Sequence, residues 1–236
     1  MSEMFMIRHG QASFGEKNYD RLSPIGVKQA QITARHWIRL GRHIDAVYLG
    51  RMKRQIDTAA PLLSVLADNG FVRPDIITEA ALDEYDSEAV FKAQLPRILA
   101  AYPSVQERSD EILTDKKLFH FVFHKAMNRW LTGQYDPPGS VTWQGFKERV
   151  NSGIRRIVQN QGAKKQLAVF TSGGPISVAV QRALSLSDEQ AMAQSWHIMN
   201  ASITRFKYNP DGMALVGFND VTHLEMENDP GLLTYR

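Results

Sequence analysis

Short apolar runs alternate with longer amphipathic stretches in the first part of the chain, and this alternation is the feature that most constrains the fold. Met4–Ile7 is suited to a short buried strand, and Ile44–Leu49 and Asp75–Thr78 are two further strand candidates. Ile25–Leu40 and Met52–Asp68 lie between them and repeat their apolar residues at helical spacing. Because parallel strands need a long crossover, a β-α-β-α-β order predicts a parallel sheet with helices packed on it.

Cap and turn residues mark where these helices begin and end. Ser23 followed by Pro24 is typical of a helix start, with the serine as N-cap and the proline in the first turn. Gly41 is the natural stop of the first helix. Pro61 lies inside the second helix and predicts a kink or a late restart there, because proline lacks the N–H that a helix interior needs.

A helical segment interrupts the strand pattern in the middle of the chain. Three helical stretches follow one another at Ser87–Ala101, about Glu107–Thr132 and Thr142–Gln161, and the loop Tyr135–Gly139 separates the last two. No repeat, low-complexity tract or linker divides the sequence. We therefore expect one domain over residues 1–236, with a cap inserted at about residues 87–161.

The strand pattern returns after this segment. Gln166–Thr171 is a strand candidate and Pro175–Leu184 a helix candidate. Ser202–Tyr208 and Met213–Phe218 flank the turn Asn209–Gly212, as in an antiparallel hairpin. The whole pattern predicts a three-layer α/β/α fold with a mostly parallel central sheet, an antiparallel C-terminal edge and a helical cap.

Composition and charge exclude several classes of function. The chain contains no cysteine, which excludes disulfides, thiolate nucleophiles and cysteine-ligated zinc. Its net charge is only +3 and no block of five like charges occurs, which weighs against a nucleic-acid partner. No apolar stretch approaches the roughly 20 residues that span a bilayer. We expect a cytoplasmic protein without a membrane or nucleic-acid partner; a homodimer is compatible with the sequence, which leaves the oligomeric state open.

The tripeptide Arg8-His9-Gly10 directly follows the first strand candidate. In open α/β sheets, ligands collect beyond the carboxyl ends of the strands. There an arginine can grip phosphate through two parallel hydrogen bonds, a neutral imidazole can attack phosphorus, and a glycine lets the backbone approach a ligand. An isolated Arg-His pair is more often a chance surface feature, so the tripeptide alone does not define a site.

Further segments follow in an order that makes the pattern specific. They are Arg8-His9-Gly10-Gln11, Leu22-Ser23-x-x-Gly26-x-x-Gln29-Ala30, Arg54 with Thr58-Ala59, Glu84, Asn200-x-Ser202 and Asn219-Asp220-x-x-His223-Leu224. With them the chain resembles the histidine phosphatase superfamily, also called the phosphoglycerate mutase-like family, over nearly its whole length. Only the helical middle matches nothing in this resemblance.

The resemblance implies a phosphatase that works through a phosphohistidine, without metal or cofactor, on a small phosphorylated substrate. His9 would be the nucleophile, and Arg8 and Arg54 would hold the phosphoryl oxygens, with Gln11 as a further ligand. Glu84 would protonate the leaving group and then activate the attacking water. Phosphoryl transfer needs little beyond such positioning and charge stabilisation.

Two of these assignments have simpler alternatives. Arg54 lies beside Arg51 and Lys53, so the three could form a solvated basic helix start. Cations oppose the dipole at a helix N-terminus, however, which favours a bound anion there. Glu84 has acidic neighbours at positions 83, 86 and 88 that could take its role, but the Leu82-x-Glu84 spacing favours Glu84.

The sequence departs from the family pattern at Ser172. The resemblance implies a second histidine at this position, which would donate a hydrogen bond to the phosphoryl group. Ser172 and the backbone N–H of Gly173 can still bind phosphate at a helix N-terminus, but the charge is missing. Since losing one preorganised donor typically lowers the rate by ~10²–10³, activity would be reduced. We hypothesise that His223 partly fills the role.

Other functions compete with a phosphatase. A weakened or inactive member of the family would bind a phosphorylated ligand and regulate rather than catalyse. The resemblance implies a longer insert between Gly10 and Leu22 in mutases of the family, so the short stretch here disfavours a phosphoglycerate mutase-type phosphotransferase. A serine esterase is poorly supported, since Phe170 stands where a nucleophile elbow needs glycine. His120 and His124 have the spacing of a zinc pair, but the phenylalanines around them favour a packed cap helix, so we expect no metal.

Overall fold

The computed structural model describes residues 2–13, 20–133, 136 and 141–235. The chain forms two compact units, one of Met1–Glu84 with Val150–Arg236 and one of Tyr85–Arg149. The predicted loop Tyr135–Gly139 lies outside the described residues except for Asp136. The second unit ends earlier than the cap expected at about residues 87–161. The reason is that the last helix of that segment continues into the first unit, where Gly153 lies against Ala81.

A six-stranded sheet organises the first unit. Its strands are β1 (Ser2–Arg8), β2 (Ala46–Leu49), β3 (Asp75–Thr78), β4 (Gln166–Thr171), β5 (Ile203–Asn209) and β6 (Gly212–Asp220), in the order β3-β2-β4-β1-β5-β6. The pairs β2–β3, β2–β4 and β1–β4 are parallel, whereas β5 is antiparallel to β1 and β6 to β5. The predicted α/β class, the mostly parallel sheet and its antiparallel C-terminal edge are confirmed.

The helices follow the strands in alternation in the first unit. The α-helices are α1 (Pro24–Arg39), α2 (Lys53–Asp68), α3 (Ser87–Ala101), α4 (Pro103–Gln106), α5 (Lys116–Thr132), α6 (Trp143–Gln161), α7 (Gly173–Leu184), α8 (Asp188–Ser195) and α9 (Thr222–Glu225). Short 3₁₀ helices lie at Ala80–Leu82, Ser109–Glu111 and Pro230–Leu232. None of the helices in the described ranges has both the length and the apolarity needed to cross a bilayer.

The core of the first unit lies between the sheet and its helices. Phe5 and Ile7 of β1 join one apolar cluster with Trp37 of α1 and with Leu62 and Leu66 of α2. Met4 and Met6 alternate with them along the strand and are fully buried too, while α7 contacts β1 and β6. Because successive side chains of a strand point to opposite faces, β1 is covered on both sides. A strand buried in this way places its carboxyl end, where Arg8 and His9 lie, in a fixed position.

Three details differ from the sequence-based expectation. Helix α2 runs through Pro61 without a late restart, since Leu62 and Leu66 beyond it are anchored in the core. The helix expected at Glu107–Thr132 begins only at Lys116, because Asp115 caps it by accepting hydrogen bonds from the first-turn N–H groups. Helix α8 was not predicted; Ser187 and Gln190 form the capping box that starts it.

Candidate active site

His9 lies just beyond β1 and is only 4% exposed. Its Nδ1 is 2.7 Å from the Gly10 carbonyl oxygen, and its Nε2 is 3.1 Å from Arg54 Nε. Because a carbonyl only accepts and a guanidinium only donates, these contacts assign the proton to Nδ1 and the lone pair to Nε2. Burial, and then the charges of Arg54 and Arg8, hold the pKa of His9 well below its usual 6.5. The imidazole is therefore neutral at pH 7, the form that can act as a nucleophile.

Arg54 belongs to the first turn of α2 and differs from its basic neighbours. It is only 6% exposed, whereas the side chains of Lys53 and Arg51 are 55% and 63% exposed. Arg51 forms an ion pair with Asp83 at 2.7 Å, and Lys53 pairs with Asp57 along the helix. The solvated basic helix start therefore describes Lys53 and Arg51, while Arg54 is directed at His9.

Arg8 approaches the same imidazole from the end of β1. Its Nη1 donates to the Ile198 carbonyl oxygen. Its guanidinium also lies beside the start of α7, since a Cβ built on Gly173 would be 4.0 Å from Arg8 Nε. The charge of Arg8 contributes to the lowered pKa of His9, as does that of Arg54. The structure thus brings two predicted phosphate ligands from distant parts of the chain together around the predicted nucleophile.

The N-terminus of α2 carries an anion that belongs to the chain itself. Asp20 accepts hydrogen bonds from Lys53 N at 2.8 Å and from Arg54 Nη1 at 2.8 Å. A carboxylate is favourable here because it offsets both the helix dipole and the buried guanidinium. An anion was expected at this helix start, but Asp20 was not predicted to supply it. Its signal was its position, two residues before the Leu22-Ser23 segment.

Glu84 lies at the N-terminus of α7. Its Oε2 accepts a hydrogen bond from Gly174 N at 2.9 Å, so the carboxylate faces the helix end that Arg8 adjoins. Of the acidic neighbours that could have replaced it, Asp83 is engaged by Arg51. In the second unit, Asp86 caps α3 and Glu88 pairs with Lys92. Glu84 is therefore the carboxylate that the structure places at the α7 end of the site.

Ser172 is fully buried between β4 and α7. The carbonyl of the preceding residue, Thr171, accepts a hydrogen bond from His9 N at 2.9 Å, so Ser172 lies at the strand end beside the His9 backbone. Its Oγ accepts from Gln55 Nε2 at 2.8 Å, and Gln55 also donates to the Leu82 carbonyl at 3.1 Å. A hydroxyl held as an acceptor keeps its own hydrogen for donation. Gln55 was missed by the sequence analysis, although it directly follows Arg54.

Gln11 has its polar groups directed at the start of α1. Its backbone N–H donates to Gln29 Oε1 at 2.8 Å, and its side-chain Oε1 accepts from Ser23 Oγ at 2.7 Å. The loop after His9 is thereby tied to helix α1. A role for the Gln11 side chain in phosphate binding stays a prediction.

The surroundings of His223 do not support the role we hypothesised for it. The side chain is buried, its Nε2 is 3.1 Å from Thr33 Oγ1, and its ring stacks on His36 with centroids 5.2 Å apart. Burial, together with the charge of His36, lowers the pKa of His223 to about 4. These contacts commit the imidazole to helix α1 rather than to Arg8 or Ser172. We therefore assign His223 to the packing of α9 on α1.

Comparisons with known proteins show the family to which the chain belongs. The family model of the histidine phosphatase superfamily (branch 1) matches residues 4–118 and 116–221, and the chain belongs to this family. No group of three or more His, Asp or Glu side chains in the part of the chain described by the structure is placed to hold a metal ion.

Three similar proteins illustrate the relationship. The mitochondrial serine/threonine-protein phosphatase PGAM5 of Xenopus laevis is 26% identical to this chain over 176 residues. The matched region is 65% of this chain and only 64% of that relative's length. A Schizosaccharomyces pombe protein described as a probable phosphatase is 23% identical over 98% of this chain and 99% of its own. The crystal structure of phosphoserine phosphatase from Entamoeba histolytica superposes with a TM-score of 0.62 and 17% identity, covering 95% of this chain and 100% of that one. At this identity the structural likeness concerns the fold.

Proposed function

We propose that this protein hydrolyses small phosphomonoesters through a phosphohistidine formed at His9. The observation that carries the proposal is the buried, neutral imidazole whose Nε2 lone pair faces Arg54 Nε, with Arg8 nearby. Burial and the two cations keep this imidazole neutral, with its lone pair on the nitrogen that Arg54 faces. It has the properties required to attack a phosphoryl group whose charge the two guanidinium groups neutralise.

The reaction would proceed in two balanced steps. In the first, His9 Nε2 forms a bond to phosphorus while the ester P–O bond breaks, and Glu84 gives its proton to the departing alcohol oxygen. In the second, the Glu84 carboxylate takes a proton from water, whose oxygen attacks phosphorus as the P–N bond breaks. Inorganic phosphate leaves and Glu84 is protonated again. Arg8 and Arg54 would hold the phosphoryl oxygens throughout, with the Ser172 hydroxyl and the α7 N-terminus as neutral donors.

Turnover of p-nitrophenyl phosphate, measured beside an alkaline-quench assay for phosphoenzyme, tests the proposal. The unmodified protein should turn the ester over and carry a phosphoryl group that acid releases and alkali does not. His9→Asn should lose both signals. Glu84→Gln should still form phosphoenzyme from p-nitrophenyl phosphate, whose leaving group needs little protonation, but should slow with a poorer leaving group such as phenyl phosphate. Turnover that survives His9→Asn would overturn the proposal.

A second candidate, a phosphate-binding protein without turnover, is favoured by one feature. The position where the resemblance predicts an imidazole holds only the Ser172 hydroxyl, bound to Gln55. The same pocket would then bind a phosphorylated ligand as a signal. Vanadate or inorganic phosphate binding by calorimetry, with no product released from a panel of phosphomonoesters, would support this candidate over the first.

A further inference from the structure

The backbone that follows His9 is held by side chains from distant parts of the chain. The peptide unit between His9 and Gly10 accepts, through its carbonyl, hydrogen bonds from Ala201 N and Asn200 Nδ2, each at 3.2 Å. Its N–H, from Gly10, donates to Thr58 Oγ1 at 3.0 Å. Every polar group of this peptide is therefore engaged, which fixes the direction in which the chain leaves β1.

The next peptide unit connects the imidazole to helix α1. Its carbonyl, from Gly10, accepts the His9 Nδ1 hydrogen at 2.7 Å. Its N–H, from Gln11, donates to Gln29 Oε1 at 2.8 Å. One planar amide thus has the nucleophile's imidazole on one end and the Gln29 side chain on the other. Hydrogen bonds in series polarise one another, so the Gln29 contact strengthens the Gly10 carbonyl as an acceptor.

Gln29 is itself held by the C-terminal segment. It is fully buried, and its Nε2 donates to the Leu232 carbonyl at 2.7 Å and to Thr234 Oγ1 at 2.9 Å. Thr234 Oγ1 donates in turn to Asn200 Oδ1 at 3.0 Å, and Asn200 N donates to the Thr234 carbonyl at 2.8 Å. The network therefore closes on itself, since Asn200 also holds the His9 carbonyl.

The face of α1 that carries Gln29 also packs closely against the loop after His9. A Cβ on Gly26 would lie 2.1 Å from the Gln11 carbonyl oxygen, and a Cβ on Gly10 would lie 2.5 Å from the Gly26 carbonyl oxygen. Ser23, one turn earlier, caps the helix and donates to Gln11 Oε1. Ser23, Gly26 and Gln29 recur every third residue, so one helix face holds the loop after His9.

We propose that Gln29 is a positioning residue for His9, and that the C-terminal segment Pro230–Tyr235 acts on the nucleophile through it. The inference rests on the proposed function of His9. Gln29 touches neither substrate nor the reacting atoms; it fixes the peptide whose carbonyl holds the Nδ1 hydrogen, and thereby fixes the orientation of the ring whose Nε2 carries the lone pair. The reaction steps alone assign no role to the segment Leu22–Ala30 or to Asn200. In this proposal both hold the loop that positions His9.

The test compares Gln29→Met and Thr234→Val with Thr33→Val. Thr33 is a matched control, because it is a buried residue one turn further along α1 whose hydroxyl donates to the Gln29 carbonyl without touching the loop after His9. We expect Gln29→Met to lower kcat by about 10- to 100-fold, as a small misplacement of a reacting group does. The inhibition constant of inorganic phosphate should change less than about twofold, since Arg8 and Arg54 remain in place.

Two further measurements separate positioning from general damage. Nitrogen-15 NMR of the histidines should show one sharp His9 Nδ1–H signal in the unmodified protein and in Thr33→Val, but a shifted or broadened signal in Gln29→Met, where the Gly10 carbonyl is held less firmly. The double variant Gln29→Met with Thr234→Val should lose little more kcat than Gln29→Met alone, because both break one network.

The outcomes also separate this inference from the proposed function. If Gln29→Met fails to fold, Thr234→Val replaces it in the comparison with Thr33→Val. Thr234 is only half-buried, and its substitution should lower kcat in the same direction but by less. An unmodified protein without turnover would remove the proposed function, yet the NMR comparison would still test the positioning of His9. Turnover in the unmodified protein, with kcat and the His9 Nδ1–H signal unchanged in both variants, would overturn the inference alone.

Discussion

The two sides of the candidate site are held in different ways. On the β1 side, the backbone of residues 9–11 is fixed by the buried side chains Thr58, Asn200 and Gln29. On the α7 side, where the resemblance predicts a second imidazole, Ser172 offers a hydroxyl held by Gln55, and Glu84 takes the Gly174 N–H. The first side is built from neutral hydrogen bonds that set orientation. On the second side, a neutral donor stands where the resemblance predicts an imidazole, next to the Glu84 carboxylate and the adjoining Arg8 guanidinium.

This difference indicates how the work of the site is divided. Orientation of the nucleophile depends on the β1 side and does not need a second imidazole. Positive charge comes from Arg8 and Arg54, which together lower the pKa of His9. We therefore expect changes on the β1 side to cost more activity than changes at Ser172.

Of the changes that compare the two sides, Gly26→Ala should cause the largest loss of turnover, because it disturbs the packing of the β1 side directly. The new Cβ would lie 2.1 Å from the Gln11 carbonyl oxygen, a backbone atom that cannot rotate away. The loop after His9 would have to shift, so we expect turnover to fall roughly 100-fold and unfolding free energy to fall by about 1–3 kcal/mol. Kinetics with p-nitrophenyl phosphate and urea denaturation measure the two effects.

Gly217→Ala is the matched control for this substitution. A Cβ on Gly217 meets nothing within 4 Å, so neither turnover nor stability should change appreciably. If Gly26→Ala matched this control in turnover, the close contact between α1 and the loop would have no bearing on the reaction.

Much of this site could be predicted from the sequence, because its main residues follow strand ends. Arg8 and His9 lie at the end of β1, Glu84 lies in the segment that follows β3, and parallel strands bring their carboxyl ends to one edge of the sheet. The strands Asp75–Thr78 and Gln166–Thr171 also have the predicted bounds, because a short apolar run can be recognised from the local sequence.

The remaining features depend on pairings that no local pattern encodes. The contacts of Asp20 with Arg54 and of Gln55 with Ser172 join residues 34 and 117 positions apart, and only the packed fold brings them together. The same applies to His223, whose motif suggested the phosphate pocket but whose side chain packs on α1. Hydrogen-bond partners across the fold are set by tertiary register rather than by residue type.

A smaller loss is expected for Ser172→Ala on the α7 side. The variant removes a neutral hydroxyl donor, worth about 1 kcal/mol, so turnover should fall roughly five- to tenfold. Ser177→Ala is a fair control, because this buried serine donates within α7 to the Gly174 carbonyl. A loss at Ser172 greater than that of Gly26→Ala would reverse the comparison between the two sides.

The pH dependence of kcat/KM should show little effect of His9 near neutrality. Because burial and the arginines lower its pKa well below 6.5, the imidazole stays neutral as pH falls from 8 to 6. We expect kcat/KM to change less than about twofold over this range, after correction for the phosphate ester, which itself titrates near pH 6. An acid limb centred at about 6.5, the ordinary pKa of histidine, would show that His9 is more solvated than its position implies.

The smallest change in turnover should follow His223→Gln, whose effect belongs to stability instead. At pH 7 we expect p-nitrophenyl phosphate turnover within about twofold of the unmodified protein, because Thr33 and His36 are the neighbours of this ring. The pKa of His223 is about 4 in the fold, against about 6.5 unfolded. As pH falls through 6.5, the unfolded chain therefore binds the proton first and the folded state loses stability until about pH 4.

That loss has a size that can be measured. The difference in pKa corresponds to roughly 3 kcal/mol of unfolding free energy from His223 between pH 6.5 and 4. His9 adds a loss of the same sign, since its pKa is also lowered. Urea denaturation at pH 7 and pH 4.5 should therefore show a smaller fall in His223→Gln than in the unmodified protein, but still a fall. Equal falls in the two proteins would mean that the His223 ring is not buried as a neutral group. A large drop in the turnover of His223→Gln would instead support the role in phosphate binding that we first hypothesised for His223.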